Sequence, residues 1–160
     1  MPIDSLQFRK VMGTFPTGVT IVTARALDGA PCGLTANAVA SVSLDPLLIL
    51  VCLASASDTH DQVLESGAFA VNLLDARSEA LARRFSSGDR ESRFEGLHIR
   101  EEITGSPVFE EGLGWLDCRV SSVLKAGDHT IVVGRVLACD ARAGEPLVFV
   151  RGSFGEMAAP

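Results

Sequence analysis

Tyrosine is absent from the 160 residues, tryptophan occurs once and histidine three times. His60, His98 and His129 have neither H-x-x-x-H spacing nor a cysteine at ligand distance along the chain, which argues against a zinc site. The four cysteines, Cys32, Cys52, Cys118 and Cys139, stand singly without a C-x-x-C pair and mostly in apolar surroundings. That pattern suits reduced, buried thiols in a cytosol. G-x-G-x-x-G, the P-loop and G-x-S-x-G are also missing, which removes the usual dinucleotide fingerprint, the NTPase loop and the hydrolase elbow. Any nucleotide must therefore be held another way. No window reaches the run of about 18 apolar residues that a membrane helix needs. The longest candidate is PLLILVCLASA at 46–56, and the N-terminus lacks a signal-peptide layout. A soluble, cytoplasmic protein is expected. Fourteen basic residues against twenty acidic ones leave a net charge of −6, with the arginines dispersed, which disfavours a nucleic-acid partner.

Apolar residues are plentiful: 47% are hydrophobic and the mean hydropathy is +0.28. Some apolar surface is expected to meet another subunit. The length suits one domain over 1–160. Leu6, Val11, Met12 and Phe15 behind Asp4 or Ser5 predict a short opening helix. GVTIVTA at 18–24 reads as a strand, with Asp28-Gly29 turning into a second extended stretch at 33–43 and a hairpin-like pairing between them. PLLILVCL at 46–53 reads as a central strand buried on both faces. Helices are expected over 59–67, with Thr59 as a cap and Gly67 as a stop, and over 78–88 between Ser78 and Gly88. Strands follow at 68–74, 97–103, 113–124, 129–141 and 146–152, the pair joined through KAGD being the clearest hairpin. Seven or eight strands, three short helices and no regular alternation predict a mainly β fold, an antiparallel barrel.

Three stretches could carry chemistry. GLTANAVASVS at 33–43 offers Thr35, Asn37, Ser41 and Ser43 among small alanines, so a planar ring could approach the backbone while amides and hydroxyls reach its edges. A polar strand with one face in water would read the same way. ASASDTH at 54–60 leads from a strand into a helix, placing Ser55, Ser57, Thr59 and free backbone N–H groups where helix N-termini hold phosphate. Plain N-capping is the alternative. Arg84 could add positive charge or simply be solvated. AGDHTIVVG at 126–134 sets His129 just after a Gly-Asp turn, where Asp128 could orient it into a cleft or it could face water.

Taken together, FPTGVTIVTA, CGLTANAVASVSLDP, LLILVCL, ESGAFAVNLL, ARRFS, RFEG and AGDHTIVVGRV, in that order, make the chain resemble the short-chain flavin reductase family over roughly 8–155. The resemblance implies an FMN-binding split β-barrel with Greek-key connections and a homodimer with flavin near its interface. It also implies NAD(P)H-dependent reduction of FMN or FAD for a separate monooxygenase. On that basis Thr35, Ala36 and Asn37 would lie against the isoalloxazine with Ser41 near its edge. Ser57, Thr59, Arg84 and Ser86 would hold phosphate, and His129, with Asp128 beside it, would approach the nicotinamide of NADH or NADPH. Phe154 stands where relatives often carry tyrosine, so a stacking role could persist but a hydroxyl contact could not. Ala54-Ser55 stands where many relatives have a basic or amide residue. Other readings are a flavin-binding module without turnover and a reductase serving another acceptor such as ferric complexes. The intact GDH favours the reductase, because a flavin store needs no nicotinamide site.

Overall fold

A computed structural model describes residues 2–157. Helix α1, Ser5–Met12, starts at Asp4, whose Oδ1 accepts from the Gln7 backbone N–H at 2.7 Å. A two-residue strand, β1 (Thr17–Gly18), precedes β2 (Thr20–Arg25), and the Asp28-Gly29 turn leads into β3 (Pro31–Ala36). β2 and β3 form the expected hairpin, with Ile21 opposite Thr35. The single extended stretch expected at 33–43 is in fact two strands. It breaks at Asn37-Ala38, and β4 (Val39–Leu44) pairs instead with β5 (Leu47–Ala54).

Then come α2 (Asp58–Ser66), β6 (Ala68–Leu73), α3 (Glu79–Ser87), β7 (Ile99–Glu101), β8 (Pro107–Phe109), β9 (Gly114–Ala126), β10 (His129–Ala141), β11 (Leu147–Val150) and β12 (Ser153–Glu156). Gly67 ends α2 at φ 68°, the left-handed conformation that glycine adopts without steric cost. The cap of α2 is Ser57 rather than Thr59. The expected strand at 97–103 shrinks to β7, and its partner β8 was not anticipated. The expected last strand is a hairpin: Arg151 and Gly152, at φ 52° and 78°, turn β11 back into β12. Residues 158–160 lie outside the described residues.

Seven strands form one antiparallel sheet in the order β3-β2-β6-β9-β10-β5-β4, with β1-β11-β12 as a second sheet and β7-β8 as a small third. β5 is neither central nor buried on both faces. It lies next to the edge strand β4, with Ile49, Val51 and Leu53 inward and Leu48, Leu50 and Cys52 on the other face only half-buried, Leu50 and Cys52 bordering an open groove with Phe8, Met12 and Phe15. The inner faces of the sheet meet in a core that includes Val22, Val51, Leu53, Phe69, Val71 and Val132. At Gly134 a Cβ would come within 2.5 Å of the Phe69 ring, so only glycine lets β10 cross that core. A second core, with Ile21, Leu74, Phe85, Phe109 and Leu147, seats α3 against the sheet. Of the cysteines only Cys118 is fully buried; Cys32 and Cys52 are half-buried and Cys139 is exposed. Burial, with lesser help from Asp117 and Cys139, pushes the Cys118 thiol up to about 12.

Candidate active site

The end of β3, the end of β5, the start of α2 and the C-terminal turn of α3 meet around a cleft of about 330 Å³. Each element arrives for a local reason. The Thr35 hydroxyl donates to the Ala82 carbonyl at 2.5 Å, and Gly33 leaves room for the Phe85 ring, so α3 is docked directly onto β3. The Ser55 backbone N–H donates to the Asp128 carbonyl at 2.9 Å, which ties the exit of β5 to the β9–β10 turn. His129, first in β10, therefore sits between Ala54 and Ala126 on its neighbouring strands, and these small residues leave its ring free to face the cleft. Its Nδ1 lies 2.8 Å from Asp128 Oδ1. Hydrogen bonding to His129 holds the Asp128 carboxyl below the usual aspartate range.

Thr35, Ala36, Asn37, Ser57, Thr59, Ser86 and His129 all line this cleft, so most of the residues singled out in the sequence are brought together. Ser41 is not among them: it lies exposed on edge strand β4. Phe154 faces a neighbouring cleft, where it meets Phe149 edge-on at 5.3 Å between centroids. Arg84 does not reach the cleft. Its Nη2 donates to the Glu95 carbonyl at 2.6 Å and also to the Ser92 carbonyl, which fastens the loop after α3.

That loop supplies the cations instead. Arg90 and Arg93 both line the cleft; Arg90 pairs with Asp58, and Arg93 Nη1 donates to the Gly33 carbonyl at 2.7 Å. Burial and the neighbouring Arg90 lower the Arg93 pKa, although a guanidinium remains charged in proteins. In the sequence these two arginines stand only in a charged stretch, GDRESRFEG at 88–96. The available signal was Phe94 beside Arg93, because an aromatic that packs on Phe85, at 5.1 Å, anchors its neighbour to the body of the protein.

The cleft suits a flavin mononucleotide unit. Ala36, Ala38 and Ala54 give a ring close access to backbone. Ser57 makes no side-chain bond to its own helix, which leaves the positive end of α2 open to an anion. The Arg93 Nε is buried with no partner among the described residues, a donor ready for an acceptor. Small residues beside backbone, a helix terminus, a guanidinium and a histidine thus line one cleft, the features that a site for a flavin nucleotide would need.

Residues 12–158 match the flavin reductase like domain, and the chain belongs to that family. It is 42% identical over 152 residues to the FMN reductase (NADH) SmoA of Agrobacterium fabrum, covering 95% of this chain and 86% of that protein. It spans only 48% of a probable flavin reductase of Rhizobium meliloti, at 38% identity over 94% of this chain. Among solved structures, nitrilotriacetate monooxygenase component B from Mycobacterium thermoresistibile superposes with a TM-score of 0.92 at 35% identity, covering 97% of this chain and 87% of that one. The Streptomyces globisporus NADH:FAD oxidoreductase SgcE6, solved with NAD and FAD fragments, gives 0.90 at 34% identity, covering 97% and 93%. The fold is the split barrel anticipated from the sequence.

Proposed function

We propose that this chain, acting as one domain over 1–160, catalyses the NADH- or NADPH-dependent reduction of FMN or FAD and delivers reduced flavin to a separate monooxygenase. The observation that supports the reading is the cleft itself, whose lining includes His129, the start of α2 and Arg93. The bound flavin supplies the hydride acceptor at N5 for the nicotinamide C4. Arg93 and the first turn of α2 bind the phosphate, and Thr35, Ala36 and Asn37 seat the ring so that the second ring can stack at near-contact distance. His129, oriented by Asp128, acts as a positioning donor to the nicotinamide nucleotide; the hydride step needs no proton from it. SmoA and SgcE6 support NADH and either flavin, and the name of the Mycobacterium protein supports an oxygenase partner.

A homodimer is part of this proposal. Leu6, Phe8, Val11 and Phe15 stand exposed on and after α1, and Leu44 on β4 is 84% exposed, beside the half-buried outer face of β5. A second copy would remove that apolar surface from water. The cytoplasm is the proposed compartment, supported by four unpaired cysteines. Among the described residues no helix is long and apolar enough to cross a membrane.

The test follows nicotinamide absorbance in air, with NADH or NADPH and then FMN or FAD added in turn. Rapid loss that requires added flavin is expected. No loss in any combination, with flavin bound, would replace the reductase by a flavin-holding module.

A further inference from the structure

Of the three histidines only His60, in the first turn of α2, is buried. Both of its ring nitrogens are engaged. Nδ1 lies 2.7 Å from Asp61 Oδ1, and Nε2 lies 2.8 Å from the Thr130 hydroxyl on β10. An ionised carboxylate can only accept, so Nδ1 carries the proton, and in the neutral ring Nε2 accepts from Thr130. Asp61, His60 and Thr130 are thus linked in the order of an acyl-transfer triad. Thr130 is only 4% exposed, however, so its hydroxyl is closed to a substrate and the bonds serve position rather than attack.

What they position follows from their chain neighbours. His60 follows Thr59 and Thr130 follows His129, and both Thr59 and His129 line the active-site cleft. Side chains alternate across a strand, so the start of β10 sends His129 toward the cleft and anchors Thr130 on the buried side. Among the described residues His60–Thr130 is the only side-chain hydrogen bond between α2 and β10. The backbone bond from Ser55 to Asp128 holds the loop before α2, not the helix. One buried hydrogen bond therefore sets the separation of the α2 terminus from His129.

We infer that His60 and Thr130 are positioning residues for hydride transfer, holding the phosphate-binding end of α2 and His129 at the spacing that stacks the flavin on the nicotinamide. The inference rests on the reductase reading. Each wall of the cleft binds its own ligand without the other, so the bond acts on the bound pair and on neither affinity alone. A misplacement of about 1 Å can cost about 100-fold in rate, and loss of one tie between walls that stay packed should cost about tenfold.

Anaerobic stopped-flow mixing of the FMN-loaded protein with saturating NADH reads the hydride step apart from binding. Thr130→Val keeps the branched shape and loses the hydroxyl. Its reduction rate should fall about tenfold, with the Kd of FMN and the half-saturating NADH concentration within about threefold of wild type. Thr130→Ser restores the bond and the rate. His60 gives an independent pair: the glutamine amide reaches Thr130 from the place of Nε2, so His60→Gln keeps the rate, whereas His60→Asn is too short and loses it. That pair decides the matter if Thr130→Val does not fold. Thr130→Val as fast as wild type, Thr130→Ser as slow as Thr130→Val, equal rates in the two His60 variants, or a slowing wholly accounted for by weaker ligand binding overturns the inference. A wild-type protein that binds FMN and leaves it oxidised overturns the reductase reading instead, whereas rapid reduction in wild type and Thr130→Val alike overturns only the positioning role.

Discussion

Replacing Arg93 by methionine separates phosphate recognition from ring recognition. The side chain keeps its length and apolar stem but loses the 2.7 Å bond from Nη1 to the Gly33 carbonyl, the weaker 3.3 Å bond to the Gly88 carbonyl, and the buried, unpartnered Nε. Losing one good charged hydrogen bond within the fold costs about 2 kcal/mol of stability. Losing a charge-assisted bond to phosphate costs about 1.5–3 kcal/mol of binding, or roughly 10- to 150-fold in Kd. Riboflavin lacks the phosphate, so its affinity should stay within about threefold, since only loosening of the β3 end can reach it. Titrating flavin fluorescence with FMN and riboflavin for both proteins gives the cycle directly. Equal weakening of the two ligands would refute the phosphate role. Arg84→Met is the companion: because Arg84 ties down the 92–95 loop backbone, it should destabilise the fold and leave the FMN-to-riboflavin ratio unchanged.

Four further outcomes are expected. His129→Ala should raise the KM for NADH by about 3- to 10-fold, one hydrogen bond's worth, with flavin affinity retained; steady-state kinetics and titration check this together, and lost flavin binding with an unchanged KM would contradict it. Phe85→Ala should cost about 3–5 kcal/mol in urea unfolding, since the ring is 1% exposed and packs on Phe94 and Phe109. Asp75 loses some acidity to burial, but bonds from Arg77 and Ser78 outweigh this and hold its pKa below the usual value. Its contribution to stability is therefore present above about pH 3.9 and is lost as pH falls through the lowered pKa. Asp75→Asn should cost about 1–2 kcal/mol at neutral pH, and unfolding curves of the two proteins should converge in acid. Leu44→Glu should dissociate the proposed dimer in gel filtration, and an unchanged elution volume would place the subunit contact elsewhere.

Elements whose ends are set by neighbouring residues were legible in the sequence. Ser78 and Gly88 bound α3, Gly67 closes α2, and the turn before His129 folds β9 onto β10. Features decided by distant partners were not. The apolar run of β5 looks the same whether both faces or one face is covered, and its outer face awaits a second subunit in the proposal above. The β11–β12 turn places Arg151 at positive φ, which its residue type does not advertise. Arg84 and Arg93 both stand beside a buried or half-buried phenylalanine in a basic, polar stretch. Only the packed structure shows that the first fastens a loop while the second faces the cleft.

The central claim is hydride transfer within one cleft, and anaerobic mixing of the protein and stoichiometric FMN or FAD with NADH tests it most directly. The account predicts loss of oxidised-flavin absorbance matched mole for mole by oxidised nucleotide, and a slower rate in His129→Ala at subsaturating NADH. Flavin that binds yet stays oxidised in the presence of NADH and NADPH would contradict it.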